Sequence, residues 1–413
     1  MPNAQSRAYN KLRQSEFKLQ ALLDVSNAIN QNYSKAKLFE LFEFILRNQL
    51  GIGSVILFSK LNKEWTYPLR YGTKGLEKSF NIEEDLLHIK AITSIHSSSK
   101  EHLNQFQVVI PVYHKTHPLA FLLIGKIDDQ NNQESSNAIL KHLAFLQAMT
   151  NIITVAIENK RLANENLKQE RINKELELAS QMQNMLFPKN ADLPKDNVLE
   201  VGAFYMPHQM VGGDYYDYFK LNDFEHVFCL ADVSGKGMPA ALLMSNFQAH
   251  LRAILDFKPG LKELIKELNE RVMHSAKGEK FITLFIAIYN SHKRTLNYVN
   301  AAHNPPVLKT KTDIYLLDSG CTGLGMFPII PELKEGLIEI PKDSLLVCYT
   351  DGVTEVENNN EEPYELERLQ EFVNCNSNLG IDRFNSELIS ELKVYKQDQN
   401  FEDDIALLSC RFK

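Results

Sequence analysis

The stretch "VGGDYYDYF", Val211–Phe219, sets two glycines and an acid in front of an aromatic run and adds a second acid three residues on. Glycine weakens strands and aspartate is depleted from them, so a β-segment opening on Asp214 and Asp217 has some use for carboxylates. The oddity recurs. "CLADVSGKG" ends an apolar strand on Asp232, "LLVCYTDGV" ends another on Asp351, and "NFEDDIALLSC" begins a third with Asp403 and Asp404. Each acid sits at the edge of a buried-looking strand, from which a carboxylate can project off a rigid element. Four carboxylates brought together repel and raise one another's pKa. Hard divalent cations relieve that repulsion, and oxygen-only ligation suits Mg2+ or Mn2+. The glycines let the backbone approach such a crowded centre.

Taken singly, each piece has an ordinary explanation. Asp351-Gly352 is a common turn pair, Asp403-Asp404 a solvated strand entry, and "SGKG" a flexible loop. It is not a Walker A loop, because Gly237 follows Lys236 where Ser or Thr is needed. The argument comes from the set in its order.

Outward from these acids the second half of the chain alternates strands and helices. "VLEVGAFYMP", "HVFCLADV", "SLLVCYTDG" and "IALLSCRF" read as strands, and "FITLFIAIYN" and "TLNYVNAA" as a hairpin about Ser291–Arg294. "PAALLMSNFQAHLRAILDF" reads as a helix with Pro239 in its first turn, and further helices are expected near 365–375 and 382–394. Strand-dense segments framing helix pairs imply an α+β fold, not a doubly wound parallel sheet.

The first half is separate. "LLDVSNAINQNYSKAKLFELFEFILRN" has helical periodicity interrupted near Asn32–Ser34. "SVILFSK", "EWTYPLRYG", "FQVVIPVYHK" and "PLAFLLIGKI" read as strands, and a closing helix follows from about Ser136. This order resembles a GAF domain, a small-molecule or protein-sensing module. The region has no cysteine for a thioether-bound bilin, and its six histidines, among them His88, His96 and His114, are scattered as ordinary side chains. From Asn151 to Leu186 the helical pattern has no Gly or Pro until Pro188. A heptad seam through Leu162, Glu165, Gln169, Ile172, Leu176, Ala179, Gln183 and Leu186 is only partly apolar, which allows a parallel dimer as well as a solvated connecting helix.

The 413 residues carry a formal net charge of −7, which gives no footprint for nucleic acid or an anionic membrane. Five cysteines without CxxC spacing point to reduced thiols, and apolar runs fall short of the roughly 20 residues that span a bilayer. The expected location is cytoplasmic.

The segments "VGGDYYDYF", "ADVSGKGMPAALLMS", "NAAHNPPVL", "YTDGVTE" and "DDIALL" resemble, in this order, the SpoIIE/RsbU-type serine phosphatases of the metal-dependent (type 2C) protein phosphatase superfamily. "LELASQMQNMLFP" is similar to the helix leading into that domain. The resemblance covers about residues 175–413. It implies a GAF-like sensor domain over 1–155, a connecting helix over 156–190, and over 191–413 a phosphatase sandwich of two central antiparallel sheets flanked by helices. Asp214 and Asp232 would belong to the metal centre, with Asp232 bridging two Mn2+ or Mg2+ ions. The backbone carbonyl of Val233 would be a further ligand, and Asp351 and Asp403 would complete the site. Asp404 ranks as a less direct polar neighbour, and Asp217 as supporting or exposed. Ala302 before His303 departs from the family's usual glycine, and Ala406 from its usual threonine. His303 is assigned a structural role over proton transfer.

The implied reaction is hydrolysis of a phosphoserine or phosphothreonine by a metal-activated water, with no covalent intermediate. No cysteine here has arginine six positions later, as a cysteine-phosphatase loop requires. The implied target is a small phosphorylated regulatory protein, typically a STAS-domain anti-sigma-factor antagonist, and the helix offers a homodimer contact. "GGD" also occurs in diguanylate cyclases, but those carry an acid then phenylalanine after the glycines, whereas Tyr215 follows Asp214 here, and they lack the later acids. An inactive phosphatase-fold scaffold is the other alternative. It would normally have lost an acid, and all four are present.

Overall fold

Apolar runs bounded by turn residues become strands almost throughout, and the longer periodic segments become helices. The computed structural model describes residues 4–61, 64–73, 75–95, 100–125 and 141–413. The chain divides into two units, Met1–Glu170 and Arg171–Lys413.

In the first unit α1 (Ala4–Asn30) stops at a turn where Asn32 takes φ 61°. Ser34 then caps α2 (Lys35–Phe44) by accepting from the Lys37 amide. Next come β1 (Val55–Leu61), β2 (Glu64–Tyr71), the short α3 (Ile82–Asp85), β3 (Thr93–Ser94), β4 (Phe106–His114) and β5 (His117–Gly125). They form an antiparallel sheet of order β2-β1-β5-β4-β3. Strand alternation sorts β5 between two cores. Leu122 and Ile124 pack with Phe42, Leu46, Met149 and Ile153 from the helices, while Phe121 and Leu123 join Ile56, Phe58 and Phe106 on the other face. The last of these helices, α4, runs unbroken over Leu143–Asn184. The expected helix start at Ser136, and His96, lie outside the described residues.

The second unit holds β6 (Leu199–Met206), β7 (Tyr215–Lys220), β8 (Glu225–Val233), α5 (Met238–Leu255), α6 (Leu261–Ala276), β9 (Ile282–Asn290) and β10 (Thr295–Ala301). Four short strands follow, β11 (Val307–Lys309), β12 (Ile314–Leu316), β13 (Gly320–Cys321) and β14 (Gly336–Glu339). Then come β15 (Ser344–Tyr349), α7 (Asp351–Thr354), α8 (Glu365–Asn376), α9 (Ile381–Lys396) and β16 (Ile405–Phe412). One sheet runs β13-β10-β9-β8-β7 with β14 beside β10, the other β12-β11-β15-β16-β6. β15 is buried along its whole length. Leu346 and Cys348 face the first sheet, while Leu345, Val347 and Tyr349 pack on α8 and α9 with Phe372, Phe384 and Leu388. Burial on both faces is why its sequence is an uninterrupted apolar run. α5 and α6 cover the outer face of the first sheet through Phe247, Leu251, Leu264 and Leu268. The result is the expected α+β sandwich with helices outside.

Three features differ from the sequence reading. α6 was not anticipated, although Leu261, Leu264, Ile265, Leu268 and Val272 form its buried face at helical spacing. Strand β7 begins after Asp214, not before it, and Asp351 opens a helical turn instead of closing a strand. Strands β11 to β14, of two to four residues, carry too few side chains to show a period.

Candidate active site

The four acids meet where the two sheets share an edge. Asp214 precedes β7 and Asp232 ends β8 in one sheet; Asp351 follows β15 and Asp403 precedes β16 in the other. Asp214 is 1% exposed, and its Oδ2 accepts from the Thr350 hydroxyl at 2.8 Å. Asp214 and Asp232 lie close enough for each carboxylate to disfavour ionisation of the other. Burial first, and then the neighbouring carboxylates, push Asp214 well above the usual range. The same causes raise Asp232 to about 7, with Asp351 and Asp403 its strongest neighbours. Burial and the charges of Glu355 and Asp403 raise Asp351 to about 6. Lys236 is the one cation paired with these acids among the described residues, and it meets Asp403.

The loops are shaped for this approach. A Cβ on Gly213 would come within 2.9 Å of the Val233 carbonyl, and one on Gly352 within 2.0 Å of the Asp404 carbonyl. Only glycine leaves those backbones room. Asp404 is a clamp. Its Oδ1 accepts from the His208 amide and its Oδ2 from the Gly213 amide, both at 2.7 Å, so it holds the loop that delivers Asp214. Asp403 turns its Oδ2 to Lys236 Nζ at 2.8 Å, and Lys236 also donates to the Glu402 carbonyl. A cleft of about 290 Å³ opens beside this pair, lined also by Gly352, Glu355 and Glu357.

Among the described residues, no three His, Cys, Asp or Glu side chains stand ready as a metal cage. The contacts of Asp403 and Asp404 account for part of this. An ion of the Mg2+ type also needs no such cage, since it keeps several waters and takes one or two carboxylates.

Asp217 is fully buried and points away from the cluster. It takes Arg252 in two bonds of 2.9 and 3.1 Å, and the Tyr215 hydroxyl donates to it as well. It is a buried ion-pair partner joining β7 to α5. His303 is 5% exposed, contacts the Thr283 hydroxyl at 2.9 Å through Nδ1, and is held down at about 4 by burial, which makes it a neutral packed ring. Ala302 occupies left-handed backbone at φ 54°, where glycine costs least. Ala406 lends its amide to Thr350 Oγ1, the oxygen that donates to Asp214.

The sequence reading did not single out Thr350, Lys236 or Gln183. A polar residue closing the apolar run of β15 was the available signal for Thr350. Lys236 was read as part of a loop, and Gln183 only as a heptad position.

Residues 223–413 match the model of the Stage II sporulation protein E (SpoIIE) family. The chain is 30% identical over 248 residues to phosphoserine phosphatase RsbU of Bacillus subtilis, covering 59% of this chain and 72% of the relative. It is 28% identical over 231 residues to protein IcfG of Synechocystis sp., covering 49% and 36%. Among solved structures it is similar in fold to the SiaA-PP2C domain of Pseudomonas aeruginosa, with a TM-score of 0.54 at 17% identity, covering 60% of this chain and 99% of that domain. An acid cluster at the sandwich edge, the ordered motifs around it and these likenesses agree, and the chain belongs to the SpoIIE/RsbU-type serine phosphatases of the type 2C protein phosphatase superfamily.

Proposed function

We propose that this protein phosphatase removes phosphate from a phosphoserine or phosphothreonine of a regulatory protein with the help of two divalent ions, Mn2+ or Mg2+. Asp214, Asp232, Asp351, Asp403 and the carbonyl of Val233 are the groups that would hold them. The observation carrying this reading is the convergence of buried carboxylates that disfavour one another's ionisation, a cost that bound cations would relieve. The donors are all oxygen, which fits hard cations, and the absence of a Cβ at Gly213 leaves the Val233 carbonyl uncrowded beside the residue before Asp214. Bound there, such ions supply charge neutralisation and water activation for in-line phosphoryl transfer.

The chain's own residues do the positioning. Thr350 fixes one oxygen of Asp214, and Asp404 fixes the loop before it. Lys236, beside the cleft, offers a cation on the side from which an anionic phosphoryl group would enter. Residues 1–155, the GAF-like part, would act as the sensor, residues 156–190 would relay its state by rotation or by a homodimer contact, and 191–413 would carry the reaction. The phosphoserine activity named for RsbU supports a phosphoserine target, and a STAS-domain anti-sigma-factor antagonist is the form such a target would take.

The test is release of phosphate from p-nitrophenyl phosphate and from a phosphoserine protein, with and without Mn2+. Absence of turnover at saturating Mn2+ would refute the reading in favour of an inactive scaffold. Comparing the phosphoproteomes of a deletion strain and its parent then identifies the target.

A further inference from the structure

Gln183 lies in the last turn of α4 and is 6% exposed, unlike the solvated residues around it. Both ends of its carboxamide bond to a single residue. Nε2 donates to the Gly212 carbonyl at 2.7 Å, and the Gly212 amide donates to Oε1 at 3.2 Å. This two-bond ring copies the pairing of one peptide group with another across a sheet. Both peptide groups of Gly212 are buried there, and without Gln183 they would be orphaned.

Gly212 cannot give way on its other side. A Cβ there would come within 2.1 Å of Asp404 Oδ2 and 2.2 Å of the Tyr205 hydroxyl. The next amide, that of Gly213, donates to Asp404, and the next residue is Asp214. Four residues beyond Gln183, Phe187 stacks on Tyr205 at 4.7 Å and packs on Tyr215 and Tyr216, anchoring the chain after the helix on both flanks of the same loop. The helix end therefore grips the backbone two residues before Asp214.

We propose that Gln183 is a positioning residue: it fixes the Gly212–Gly213 backbone so that Asp214 stands where a divalent ion needs it, and it is the point at which α4 acts on the acid cluster. This rests on the reading that the cluster binds divalent ions. Axial or rotational displacement of the helix end would be passed through the amide pair to Asp214.

The test uses the full chain and the variant Gln183→Met, which keeps the volume and removes both bonds. Mn2+ binding is measured by titration calorimetry, alongside the Mn2+ and p-nitrophenyl phosphate dependence of turnover. Loss of two hydrogen bonds corresponds to roughly a tenfold weakening of Mn2+ binding, with KM for p-nitrophenyl phosphate at saturating Mn2+ unchanged. A purely structural role would lower the melting temperature but leave Mn2+ affinity of the folded protein as it was. If the methionine variant does not fold, Gln183→Asn, with its amide one methylene short of Gly212, is measured in its place. Mn2+ affinity within twofold of wild type in either folded variant overturns the proposal. If the wild-type chain itself binds no Mn2+, it is the metal reading that fails, and the two failures are distinct.

Discussion

Asp232→Asn should stabilise the protein and kill it as a catalyst at once. In the folded chain the Asp232 carboxyl is lifted from 3.8 to about 7, first by burial and then by Asp351 and Asp403. About three pH units at roughly 1.4 kcal/mol each means that ionising this group above pH 7 costs the fold roughly 4 kcal/mol. The sign follows from the direction. A raised folded pKa gives stability that is present below 3.8 and lost as pH rises through about 7. Asparagine removes the charge but leaves a buried amide to satisfy, which returns part of the gain. A net gain of about 2 kcal/mol at pH 8 is expected, or about 4–8 °C in melting temperature for a unit of this size. The measurement is thermal unfolding in EDTA at pH 8 and at pH 4, where the gain should vanish, followed by Mn2+ titration of stability and of phosphate release. The variant should show no Mn2+-induced shift and no Mn2+-dependent turnover. An EDTA melting temperature at pH 8 no higher than wild type would refute the strain argument, and turnover within a factor of two of wild type would remove Asp232 from the centre.

Asp217→Asn should do the opposite, lowering stability by roughly 1–3 kcal/mol because one of its two accepting oxygens becomes an NH2 that faces the donors of Arg252 and of Tyr215 or Tyr218, while Mn2+ affinity is unchanged. Arg252, 46% exposed at its side chain, can return to water, so a larger loss or a tenfold drop in Mn2+ affinity would contradict its supporting role. Ala302→Gly should stabilise by roughly 0.5–1 kcal/mol by relieving left-handed backbone, and a lower melting temperature would disprove that account. Two alanines inserted after Lys174 turn the two parts of α4 by about 200° about its axis, which should change catalytic output strongly. Seven inserted residues restore the phase and should largely rescue it. Equal activity and equal response in both would reduce the helix to a tether.

The sequence exposed the acids because each interrupts the strongest local pattern there is, an apolar strand buried on both faces. "SLLVCY" and "IALLSCRF" could hardly be anything else, and their polar ends had to be explained. The helix boundaries at Asn32–Ser34 and Pro239 were legible for local reasons, a left-handed turn with a serine cap and a proline in a first turn. What stayed hidden depends on tertiary contact. Gln183 sits in a polar helix whose heptad gave it no special place, and only the fold brings Gly212, 29 residues on, against its amide. The family resemblance ranked Asp404 below Asp403, but its task was not legible in the sequence. The direction of its two oxygens, towards backbone amides, distinguishes a clamp from a ligand.

Each sheet contributes two of the acids, so like charges face one another across one rim of the sandwich while its interior is apolar. That rim is a hinge line under repulsion. Ionising these acids without a cation would load that rim and leave the apolar interior untouched. Amides near Asp214 and Thr350 should then exchange with solvent sooner than those at the far ends of β8 and β15, and a cation shared between the sheets would act as a clasp, adding to the bonds from Thr350 and Asp404 that already cross the rim.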